Sequence, residues 1–96
     1  MKSTSNQRKI MTDYEISKAI GRRIKSLRKD TRLTQKKMAV RLDMTTNTYE
    51  RIERGITVLS VPRLMKIADV LNVNVSEILS AVPNSSVIAT LEGGGV

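Results

Sequence analysis

Apolar residues recur at a spacing near 3.6 from Tyr14 to Leu79, and the polar residues between them are of the kinds that start and stop helices. Thr12-Asp13-Tyr14-Glu15 has the form of a capping box, and Ile16, Ile20, Ile24 and Leu27 follow as one stripe. A first helix is therefore expected to run to about Lys29. Thr34 caps a short second helix, QKKMAVRL, with Met38, Ala39 and Leu42 on its inner side. Asp43 stands where a residue in the left-handed conformation would close that helix. Thr45 caps a third helix that reaches Arg54 and stops at Gly55. Ser60 caps a fourth, with Pro62 tolerated in its first turn and Leu64, Ile67, Ala68 and Leu71 facing inward. Asn74 and Glu77 form a second capping box ahead of a brief fifth helix with Ile78 and Leu79. β-branched residues cluster only in ITV at 56–58 and SVIAT at 86–90, so the body reads as all-α.

The punctuation divides the chain into a basic N-terminal arm (1–11), a helical domain (12–80) and a C-terminal tail (81–96). Ser86 to Leu91 in the tail is either unstructured or a short strand that pairs with its copy in a dimer.

Composition narrows the function. There is no Cys and no His, so thiolate zinc sites, disulfides and the commonest general base are all missing. Nine carboxylates remain, without a clustered pair, and no enzyme, metal or cofactor is expected. No apolar run approaches membrane-spanning length and residues 1–11 are polar, which points to a cytoplasmic protein away from the membrane. The net charge of +8 is one-sided: residues 1–54 hold 15 basic and 6 acidic side chains, whereas residues 55–96 hold two basic and three acidic. Such a field suits a polyanion, through phosphate neutralisation and counterion release. Tyr14 and Tyr49 are the only aromatics, too few for an interfacial belt or a single-strand stacking platform. Duplex DNA fits best.

Helices two and three are short and separated only by Asp43-Met44 before the next cap, which forces a steep crossing of the helix-turn-helix kind. The stretch IGRRIKSLRKDTRLTQKKMAVRLDMTTNTYERIERG, followed by LMKIADVLNVNVSEIL, resembles the Cro and phage-repressor type (Xre-like) of helix-turn-helix domain over about residues 16–79. Arg28, Thr34-Gln35, Met38-Ala39, Ile52-Glu53-Arg54-Gly55 and the IAxxLxV pattern carry the resemblance as a set. It implies a five-helix, lambda-repressor-like fold that offers its second and third helices to the major groove. It also implies a homodimer and a prokaryotic, phage or plasmid setting at the nucleoid. The expected role is a transcriptional regulator, most simply a repressor. An antitoxin or bridging module that binds a partner protein through the same fold is the alternative, and no small-molecule ligand domain is foreseen.

At 100° per residue from Thr46, the residues Thr48, Tyr49 and Ile52 face inward, while Asn47, Glu50, Arg51 and Arg54 face outward with Thr46 at the edge. The small polar residues at the helix start permit close approach to base edges. Thr can touch a thymine methyl, Asn can pair bidentately with adenine, and Arg51 reaches guanine or a phosphate. The alternative for Thr46 and Asn47 is a capping role alone. Gln35 matches a family position that contacts the DNA backbone and braces the recognition helix, and it joins Thr46, Asn47, Glu50 and Arg51 in the base-proximal set. Arg22, Arg23, Lys36, Lys37, Thr48 and Arg54 form the candidate backbone set. Lys36 and Lys37 oppose the helix macrodipole in the first turn of helix two, which makes sense if an anion sits there. Arg28 and Glu53 match a buried or half-buried ion pair between helices one and three, the alternative being a surface salt bridge of little energetic worth. The loop Ile56-Thr57-Val58-Leu59 is apolar where the family often carries cations, which suits a dimer contact or packing beneath helix four.

Overall fold

The stripes and caps become five helices, and the computed structural model describes residues 10–82. They are α1 (Asp13–Asp30), α2 (Gln35–Arg41), α3 (Thr46–Arg54), α4 (Val61–Leu71) and α5 (Val75–Leu79). Among the described residues there is no strand, and the β-branched run at 56–58 lies in a loop. Residues 1–9 of the arm and the expected tail strand at Ser86–Leu91 lie outside the described residues.

The starts follow the sequence closely. Thr12 and Asn74 close reciprocal capping boxes with Glu15 and Glu77, and Thr34, Thr45 and Ser60 each accept a backbone N–H from the first turn of their helices. The ends share one device. Arg32, Asp43, Gly55 and Asn72 have φ of 61°, 57°, 76° and 58°, the left-handed region. After each of them the next N–H reaches back to a carbonyl of the last turn: Leu33 to Arg28, Met44 to Ala39, Ile56 to Arg51 and Val73 to Ala68. Three of these turns read left-handed residue, apolar residue, cap: Arg32-Leu33-Thr34, Asp43-Met44-Thr45 and Asn72-Val73-Asn74. Leu33, Met44 and Val73 pack against the core, which pins each reversal.

That core joins Ile24 and Leu27 of α1 to Met38 and Ala39 of α2, Tyr49 and Ile52 of α3, Leu64, Ile67, Ala68 and Leu71 of α4 and Ile78 of α5. Ala39 is 1% exposed, the small residue that lets α2 and α3 cross closely. Ile16 and Ile20 are only half-buried, and Leu79, the last residue of α5, is 42% exposed. At the crossing of α1 and α3, a Cβ on Gly21 would lie 2.5 Å from the Glu53 carbonyl oxygen, and one on Gly55 would lie 2.6 Å from Lys18 Cα. Two glycines thus let the backbones of α1 and the end of α3 touch.

Candidate nucleic-acid interface

One carboxylate holds the frame beneath α3. Glu53 accepts from Arg28 Nε to Oε2 and from Arg28 Nη2 to Oε1 at 3.1 Å. It also accepts from Gln35 Nε2 at 3.0 Å and from the Tyr49 hydroxyl. Arg28 spends a further N–H on the Leu33 carbonyl at 2.9 Å, inside the α1–α2 turn. Among the described residues no buried side-chain polar atom lacks a partner. Burial alone would push the Glu53 carboxyl up, but donation from Arg28, Tyr49 and Gln35 holds it below the ordinary glutamate range. The hydrogen bond to Glu53 raises Arg28 in spite of its burial. Tyr49 is pushed well above the ordinary phenol range, first by burial and then by its bond to Glu53. The Arg28–Glu53 pair is thus buried as the resemblance implied. The donation from Tyr49 was not foreseen, although its i, i+4 spacing to Glu53 on a helix was a usable signal.

With its inner side committed, α3 turns the rest outward. Thr46, Asn47 and Arg51 are exposed, and their side chains make no hydrogen bond to any described residue. The N-cap hydroxyl of Thr45 accepts the Thr48 N–H at 3.1 Å and donates to the Thr48 hydroxyl at 2.8 Å. Thr46 and Asn47 are therefore not needed as caps. Thr48 is half-buried, its hydroxyl engaged by Thr45. Glu50 is half-buried and forms an i, i+4 pair with Arg54 at 3.5 Å, too exposed at Arg54 to stabilise the helix much.

The remaining cations take different places. Lys36 and Lys37 are exposed in the first turn of α2, where no acid stands, and the Lys37 N–H is held by the Thr34 hydroxyl. Arg22 is exposed and lines a groove together with Arg54. Arg23 is half-buried and donates from Nε to the Glu77 carbonyl at 2.9 Å, so that part of its guanidinium ties α1 to α5. The structure thus gathers Thr46, Asn47, Glu50, Arg51 and Arg54 on α3, with Gln35 anchored beside them. No group of three or more carboxylates able to hold a metal ion occurs among the described residues.

Two short helices, α2 and α3, joined by a tight turn and packed on a shared core, the second with its polar N-terminal face open, define a helix-turn-helix protein of the DNA-binding class. A family model described as helix-turn-helix matches residues 24–78, more than half of the chain, and this protein belongs to that family. No curated protein matches the sequence. The fold is similar to two crystal structures of the clp gene regulator ClgR from Corynebacterium glutamicum. The first shares 23% identity over 69% of this chain and 86% of that chain, with a TM-score of 0.66. The second shares 20% over 82% and 84%, with a TM-score of 0.68. No helix among the described residues is long and apolar enough to cross a membrane.

Proposed function

We propose that this protein is a sequence-specific, double-stranded-DNA-binding transcriptional regulator that represses by occupying an operator, with α3 laid in the major groove. The observation that carries this reading is the exposed set Thr46, Asn47 and Arg51, without a side-chain hydrogen bond among the described residues, on a helix whose opposite side is locked by Glu53. Short side chains at the start of α3 allow close approach to base edges, and Asn47 and Arg51 carry the hydrogen-bonding patterns that fit adenine and guanine. Gln35 and Glu50 flank them. Lys36, Lys37, Arg22, Arg54, the free N–H groups of Arg23 and the hydroxyl proton of Thr48 serve the phosphates, which set register rather than sequence. The similarity to a gene regulator supports a role in transcription.

A second copy of the chain completes the reading, since two linked recognition helices read a palindromic site. Ile56, Val58, Val61 and Met65 favour it: they are 51%, 81%, 68% and 53% exposed, on the α3–α4 loop and the start of α4. Leu59 between them turns in and packs on the core. The same patch is the surface that an antitoxin-like module would offer to another protein.

Selection of bound sites from random duplexes tests the reading. It should return a two-fold symmetric motif. Asn47→Ala should cost ~1–3 kcal/mol on the best site and relax one base pair per half-site, with non-specific affinity nearly kept. Failure to enrich any motif, or equal loss on random DNA, removes the base-reading role.

A further inference from the structure

We infer that α1 carries a second phosphate-binding track, formed by Lys18, Arg22 and Lys25 with Arg54 of α3, which holds duplex DNA beyond the half-site read by α3. The inference rests on the proposed DNA-binding function and lengthens its footprint. Lys18, Arg22 and Lys25 stand at i, i+4 and i+7, one face of α1, and line one groove with Tyr14, Arg54 and Ile56. The groove is built by the glycine contact. Because Gly21 and Gly55 bring α1 onto the end of α3, the cations of α1 and Arg54 share one concave surface.

Three observations favour an anion there. Among the described residues the ion pairs are Arg28–Glu53 and Arg54–Glu50, so Lys18, Arg22 and Lys25 have no carboxylate partner. Glu53, the one acid that lines the groove, has its carboxylate filled by Arg28, Gln35 and Tyr49. Lys18 is held in place rather than left to wander. Its ammonium lies 5.2 Å from the Tyr14 ring centroid and donates to the Tyr14 hydroxyl at 3.2 Å.

Position favours DNA over an acidic protein segment. Arg54 belongs both to the outward side of α3 and to this groove, so a duplex seated on α3 passes directly onto the α1 stripe. The stripe runs ~10 Å along the helix axis, enough to face about three phosphates of one strand.

The test uses the full chain on a short duplex that ends at the operator edge and on a long one with about ten further base pairs each side. On the long duplex, Lys18→Gln, Arg22→Gln, Lys25→Gln should flatten the slope of log K against log salt by ~2–3. The variant's affinity then falls by roughly 15- to 60-fold less than that of the parent between 50 and 200 mM salt. On the short duplex only the Arg22 contact is lost, so the slope there should flatten by no more than ~1. The single variant Lys25→Gln should show about one third of the change on the long duplex and none on the short one, which guards against misfolding of the triple variant. Equal weakening on both duplexes would reveal only a general charge effect and overturn the track. So would unchanged slopes together with capture of a polyglutamate peptide by the parent but not the variant, which would assign the groove to an acidic protein. If the parent itself selects no operator, the function proposed above fails, an outcome distinct from either of these.

Discussion

Glu53 is where α1, α2 and α3 are tied to one another, and its protonation state decides whether the tie holds. Its partners come from three helices: Arg28 from α1, Gln35 from α2 and Tyr49 from its own α3. Removing Arg28 leaves a buried carboxylate without its cation, so Arg28→Ala should lose ~3–5 kcal/mol of stability. The pair shares one interaction, and the double variant with Glu53→Ala should lose less than the sum of the singles in urea unfolding. The pH dependence follows from the lowered carboxyl of Glu53. A depressed folded value means its contribution is fully present at neutral pH and is lost as pH falls from about 4.5 through the folded value. Melting curves from pH 7 to 3 should therefore drop more steeply for the parent than for Glu53→Gln. Parallel curves would mean that the carboxylate is not the acid-sensitive tie. Much of this network was legible only through the family resemblance, in which Arg28 and Glu53 match a known pair and Gln35 a known brace. Tyr49 was assigned only a packing role, because an inward-facing tyrosine reads as core until a buried acid one turn later is seen to need its hydroxyl.

Helix boundaries were legible where side chains act on their own backbone. Thr12, Thr34, Thr45, Ser60 and Asn74 all cap as their types suggest, and Asp43 closes α2 in the left-handed conformation. Arg32 at the end of α1 carries no such signal. It adopts the same conformation because Leu33 is drawn into the core behind it. The contact of α1 with α3 through Gly21 was equally hidden, since a glycine within a helical stripe does not say what approaches it. That approach makes a sharp expectation. Gly21→Ala would gain up to ~1 kcal/mol of helix propensity, yet its Cβ meets backbone oxygens of Ile52 and Glu53 that cannot turn aside. Overpacking of ~1–3 kcal/mol should win, and operator affinity should fall with it as α3 shifts. A variant as stable as the parent would show that the crossing has slack. At the other end of the motif, Lys36→Ala, Lys37→Ala should weaken binding to all duplexes alike and flatten the salt slope by ~1–2. An unchanged slope would remove both lysines from the phosphate contacts.

At the scale of the whole molecule, cations crowd the first 54 residues, and four exposed apolar residues, Ile56, Val58, Val61 and Met65, follow within the next eleven. In the proposed reading DNA takes the cationic face and a second protomer the apolar patch, the two faces meeting at Ile56. A two-fold axis sets a patch against its own copy, so Ile56, Val58, Val61 and Met65 would meet the same four residues and leave water together. The contact would fix the separation of the two α3 helices and favour half-site centres about one DNA turn, ~34 Å, apart. The tail is the rival device, through pairing of the two Ser86–Leu91 runs, and the two are separable by mutation. Val58→Ser, Met65→Ser should move the protein toward monomer in sedimentation and make operator binding depend more steeply on concentration, while folding stays intact because both side chains are more than half exposed. Deletion of residues 83–96 should leave both readings close to those of the full chain, since the patch is unaltered. Should the deletion dissociate the protein while the double substitution does not, the dimer belongs to the tail, and the apolar patch is left for another partner.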